Sequence, residues 1–190
     1  MFYPKLGLPL ALELVNTQFA VGGQPRDALE TPADLAEWLR QNRLELESVS
    51  VNDLERFLVL RQALRRLFIA SCTDQQPPID DIEMLNEVSA AAPRYPQLEW
   101  LGDGPHVHMR EHADAHAALL AAVVRSAMEV LSAEDGVGQC QAPNCILLFT
   151  RDARHRQWCS AACGNRARVA RHYARHKRSS SDEAHSMTTL

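Results

Sequence analysis

The chain has 190 residues, 46% apolar and 23% charged, which suits one ordinary domain with a small appendage and excludes global disorder. Its charge is unevenly placed: residues 1–139 carry 11 Lys and Arg against 21 Asp and Glu, a net of −10, whereas residues 140–178 carry 9 against Asp152 alone, a net of +8. No uninterrupted apolar run approaches the roughly 18 residues of a membrane span, and Met1–Pro9 has no basic and apolar segments of a secretory signal, so a cytoplasmic chain with reduced thiols is expected.

The elements follow in chain order. Leu8–Phe19 is mostly apolar and reads as a helix. Thr31-Pro32 opens a second helix to about Gln41, with Thr31 as N-cap and Pro32 in the first turn. Ser50 caps a long third helix to about Ser71, and a fourth follows Pro77-Pro78 and ends near Ala92. Residues 97–110 suit a hairpin around Gly102-Asp103-Gly104-Pro105. A fifth helix over about 112–132 carries the stripe Leu120, Val123, Val124, Ala127, Met128, Leu131. Glu134-Asp135-Gly136 then marks a boundary. The expected organisation is a helical domain over 1–135, a cysteine module over 136–178 and a disordered polar tail over 179–190. The fold class is mainly α with a small β element.

Four of the five cysteines, Cys140, Cys145, Cys159 and Cys163, have the spacing C-x4-C-x13-C-x3-C. Two close pairs separated by a hairpin's length of chain are what a tetrahedral four-thiolate zinc site requires. Ile146–Phe149 reads as one strand, Thr150–His155 as a turn and Arg156-Gln157-Trp158 as the return strand. Ser160 then caps a helix ending near Arg178, with Cys163 in its first turn. Strand hairpin followed by a ligand-bearing helix is a treble-clef-like arrangement. Four thiolates close the coordination shell, so one structural Zn2+ is expected and no catalytic one. No catalytic motif is legible elsewhere, and no enzyme is expected.

Arg168, Arg171, Arg175 and Arg178 recur at i, i+3, i+7 and i+10 and form one face of the module's helix. Guanidinium groups fork onto phosphate or guanine, and a helix fits the major groove. The candidate nucleic-acid surface comprises Arg151, Arg154, Arg156, Asn165, Arg166, Arg168, Arg171, Arg175, Lys177 and Arg178. The alternatives are a face docked on the acidic body and an adaptor whose finger docks a protein partner.

Cys163-Gly164-Asn165-Arg166 spells the CGNR signature, and Leu148-Phe149, Arg156 and Trp158-Cys159-Ser160 are similar to the rest of that zinc-finger pattern. Leu10–Thr17, Asp34–Leu39 and Leu60–Arg65 resemble pieces of the ABATE domain that accompanies this finger. The resemblance covers about residues 8–178 and implies a bacterial stress-related transcriptional regulator acting on DNA; a homo-oligomer is possible within that reading.

Three lesser signals remain. His108, His112 and His116 recur at i, i+4, i+8, which suits surface or partly buried histidines better than a second metal site. Cys72 reads as a buried small hydrophobe rather than a redox sensor. Arg61 projects between Leu54, Phe57 and Phe68 inside an apolar stripe, so it needs a partner. Glu13 or Asn16 is the expected one; the alternative is a pocket for a small anionic ligand built on Asn16 and Arg61.

Overall fold

A computed structural model describes residues 3–151 and 155–186, with backbone alone from His176 onward. The fold is mainly α, with three two-stranded antiparallel hairpins. The second and third helices start where the sequence places them. In α2 (Pro32–Gln41) and α3 (Val51–Cys72), capping boxes join Thr31 to Asp34 and Ser50 to Asp53, so each side chain satisfies a backbone N–H that the first turn leaves unpaired. Asp114 likewise accepts from the backbone of His116 and Ala117 at the start of α5 (Ala115–Ser132). The fourth helix, α4, spans Ile79–Ala90.

The first element departs from expectation. Helix α1 spans only Leu10–Val15, and the chain then forms β1 (Gln18–Val21) and β2 (Gln24–Asp27). Between them, Gly22 and Gly23 both have positive φ, 59° and 85°. That is the backbone a two-residue hairpin turn requires, and glycine adopts it without steric cost. This turn, not the apolar character of Phe19, decides the local structure.

The core is built by α1, α3 and α5, with α2 and α4 packed alongside. Leu12, Leu14, Trp38, Phe57, Leu64, Phe68, Val123 and Val124 are essentially inaccessible to solvent. By length and composition α5 could cross a membrane, but here Leu120, Val123, Val124 and Ala127 face this core. Between α4 and α5, β3 (Arg94–Leu101) and β4 (Gly104–Glu111) form a long, largely exposed hairpin with no buried residue in either strand.

The cysteine module is not a separate body. Strands β5 (Val137–Gln139) and β6 (Leu148–Thr150) pair with each other, so the return partner of Leu148-Phe149 lies before Cys140 and not at Arg156-Gln157-Trp158. The reason is steric: Phe149 lies against Gly138, where any Cβ would come within 2.8 Å of the ring. Residues 156–158 join by one backbone bond instead, from Gln141 to the Gln157 carbonyl. Leu147, Leu148 and Phe149 are buried in the same core as the helical domain. Helix α6 begins at Ala161 and runs to Ser186, past the expected end near Arg178 and into the segment expected to be a disordered tail. No Gly or Pro interrupts it after Gly164. Residues 187–190 lie outside the described residues.

Candidate zinc centre and nucleic-acid interface

The zinc knuckle is built by short-range backbone geometry. Asn144 takes a left-handed conformation, φ 60°, and the Cys145 N–H donates to the Ala142 carbonyl, so the chain turns back between the first two cysteines. The Cys159 N–H donates to Cys140 Sγ at 3.4 Å. At the other corner the Ser160 hydroxyl accepts from the Cys163 N–H, which caps α6 and sets Cys163 in its first turn. The four sulfurs lie within 4.8 Å of one another. Three of the separations are 3.5, 3.8 and 3.8 Å. Zinc bound to sulfur at about 2.3 Å sets tetrahedral S···S edges of about 3.8 Å, so the donor set fits one Zn2+ with no position left for water. Without a cation, hydrogen bonds from the Cys145 and Cys159 thiols hold the Cys140 sulfur below the ordinary thiol range, and the same contacts push the Cys145 and Cys159 thiols up. Metal binding needs all four as thiolates and therefore releases protons.

Two of the arginines expected on the outer face serve the finger itself. Arg166, though exposed, donates to Cys163 Sγ at 3.2 Å, offsetting thiolate charge. Arg156 donates to the carbonyls of Trp158 and Cys159 and lies over the Phe149 ring, 4.8 Å from its centroid. Gly164 lets the helix pack closely on Trp158: a Cβ there would sit 3.3 Å from the indole, which would have to give by a few tenths of an ångström.

The remaining arginines do present outward. Arg168, Arg171 and Arg175 are exposed along α6, and Arg151 and Asn165 are exposed beside them. Ala167 is the last buried residue described on this helix. The acidic body therefore does not cover the face of Arg168 and Arg171. A groove of about 350 Å³ runs between knuckle and helix, lined by Pro143, Trp158, Ala167, Ala170 and Arg171. Arg154 and the side chains of Lys177 and Arg178 lie outside the described residues.

The helical domain grips the finger at three points. Asn16, fully buried, donates its side-chain amide to the Leu148 carbonyl at 2.9 Å and accepts from the Leu148 N–H at 3.0 Å. It thus acts as a strand partner for β6. Arg65 donates to the Ile146 carbonyl, and Cys72 donates to the Val137 carbonyl. Burial pushes the Cys72 thiol up, the direction opposite to redox sensing.

Arg61 is buried as expected, but its partner is Asp27, not Glu13 or Asn16. Both guanidinium Nη atoms reach the Asp27 carboxylate at 2.6 Å, and Nη1 also donates to the Thr17 hydroxyl at 2.8 Å. Burial acts to raise the Asp27 pKa, but the Arg61 and Leu29 hydrogen bonds outweigh it and hold the group below the usual carboxylate range. Glu13 is occupied by the backbone N–H groups of Leu6 and Leu8. Asn16 and Arg61 thus meet protein groups and open into no described cavity. Asp27 was missed because it lies 34 residues from Arg61; the Gly22-Gly23 turn was the signal that could have placed it. The three histidines are not brought together: His116 meets Asp53 at 2.7 Å, and His108 lies beside Glu99 on the hairpin. The four cysteines are the one metal-competent group among the described residues.

The sequence matches two family profiles. Residues 8–134 match ABATE, described as "Putative stress-induced transcription regulator". Residues 137–176 match the CGNR zinc finger. No curated protein matches the chain significantly.

Proposed function

The chain belongs to the ABATE family and carries a CGNR zinc finger, and from that premise we propose that it regulates transcription by binding DNA through α6. The observation that carries this is the outward placement of charge. The finger is held rigidly by zinc and by the helical domain, while Arg168 and Arg171 stand exposed on a helix that leaves the body. A helix of that width enters the major groove, and guanidinium groups on one face meet phosphates or fork onto guanine. Arg151 extends the surface from the β6 side. The protein acts as a binding module, not an enzyme, and works in the cytoplasm on the chromosome. A small anionic ligand acting on Arg61 would have to displace Asp27, which makes the helical domain a scaffold first.

A second reading has its own observation. Val169 and Tyr173, one turn apart on α6, are both exposed apolar groups, which suits docking on a protein partner. Selection of fragmented genomic DNA by the zinc-loaded full chain separates the two. Enrichment of discrete fragments is the expected result. Failure to retain any DNA at low salt would favour the protein partner.

A further inference from the structure

The β3–β4 hairpin is long, regular and unaccompanied. Its base is pinned: Arg125 on α5 pairs with Glu111 at 2.8 Å and donates to the Ala92 carbonyl. Beyond that base no residue of either strand is buried. The register makes its two faces unlike. Pro96 pairs with Met109, Leu98 with Val107 and Trp100 with Pro105. Since partners share a face and alternate residues return to it, all six lie on one side. Beyond the Arg94–Glu111 pair at the base, that side is apolar and open to solvent, with Trp100 75% exposed, Val107 65%, Leu98 64% and Met109 52%. The other side is largely polar: Arg110 donates to Gln97, and His108 lies beside Glu99.

Strict alternation of this kind belongs to a ribbon with one face covered. An isolated hairpin is marginal in water, and the apolar side amounts to on the order of 500 Å² per chain, at the upper end of what a soluble monomer shows. Two such faces together reach about 1,000 Å², the lower bound for a specific interface.

We propose that this face is the homodimer contact and that its occupant is the same face of a second copy. The face suits itself. With the two-fold axis across the Leu98–Val107 row, the hairpins stack in opposite directions. The bulky Trp100–Pro105 row of one then rests on the Pro96–Met109 row of the other, giving aromatic–proline and aromatic–sulfur contacts. The same antiparallel arrangement puts the two bodies at opposite ends of the stack, so they do not compete for space. An isologous contact closes on itself and stops at two copies.

Sedimentation velocity of the zinc-loaded full chain tests this, at loading concentrations from about 1 to 200 µM, the range in which an interface of this size associates. The wild-type chain should pass from monomer to dimer. Val107→Asp and Leu98→Gln should each stay monomeric at the top concentration while keeping wild-type zinc content and thermal midpoint. Glu99→Lys, on the polar side, should dimerise like wild type. A wild-type chain that remains monomeric throughout, or dimers that persist in both apolar-face variants, would overturn the proposal. Two variants are used so that misfolding of one leaves the other decisive.

Discussion

The buried anchor points of the helical body and the outer part of α6 use arginine differently. In the body, Arg61, Arg66 and Arg125 pair with Asp27, Asp81 and Glu111, beside exposed arginines such as Arg26 and Arg56. On α6, beyond Ala167, Arg168 and Arg171 stand exposed, Arg171 with its guanidinium 6.0 Å from the Trp158 ring and its Nε donating to the Ala167 carbonyl. The inner finger lies between these extremes, with Arg156 and Arg166 turned onto carbonyls and a sulfur. Charge that is consumed locally holds a fold together, and charge that is left outward is available to an external polyanion. Arginine-rich composition alone does not distinguish the two.

Removing zinc should break the comparison most severely. Chelation, or Cys163→Ser, should abolish the one-to-one metal stoichiometry, because structural zinc supplies on the order of 10 kcal/mol of folding free energy. Leu148 and Phe149 belong to the shared core, so the loss should spread beyond the finger. Circular dichroism and metal analysis on the same samples would show it. A helical domain that melts unchanged after chelation would mean that the core is divided after all.

The buried pair should come next. Asp27→Asn leaves the Arg61 charge without its counterion, at a cost of about 3–5 kcal/mol, measured by urea unfolding at neutral pH. The sign with pH follows from the depressed Asp27 pKa. Its contribution is complete above the unfolded carboxylate pKa and disappears as pH falls through the folded value. The gap between wild type and Asp27→Asn should therefore close below about pH 4. A gap that is constant with pH would assign the effect to packing. Asn16→Ala should cost about 3 kcal/mol, since it strands the N–H and C=O of Leu148 inside the core. Hydrogen exchange at Leu148 should accelerate more than exchange within α5. Uniform acceleration would show that Asn16 is not the clasp between the two parts.

What the sequence reveals, and what it hides, follows from how far apart the interacting residues lie. The caps at Thr31 and Ser50 and the four cysteines interact within a few residues or one hairpin, so spacing exposes them. The finger's attachment to the body is hidden because Asn16 and Leu148 are 132 residues apart. Arg61 was visible as a charge needing a partner, but which partner depended on a turn that carries Asp27 back over the core. That Arg156 and Arg166 bond to the finger's own carbonyls and sulfur is likewise invisible in the helical pattern, which describes faces and not what lies opposite them. The smallest expected effect on stability tests that distinction. Arg168→Ala should change unfolding by no more than about 0.5 kcal/mol, whereas Arg166→Ala should weaken zinc about 10- to 100-fold, read by competition with a chromophoric chelator. Equal effects of the two would erase the difference between inner and outer arginines.

The most direct measurement is the salt dependence of DNA binding by the zinc-loaded full chain beside its Arg168→Ala/Arg171→Ala variant, on one duplex and at matched zinc content. If both guanidinium groups meet phosphate, the slope of log K against log salt should fall by about two units with stability unchanged. Identical slopes and affinities for the two proteins, or no binding by either at low salt, would contradict the assignment of α6 as the DNA-binding surface.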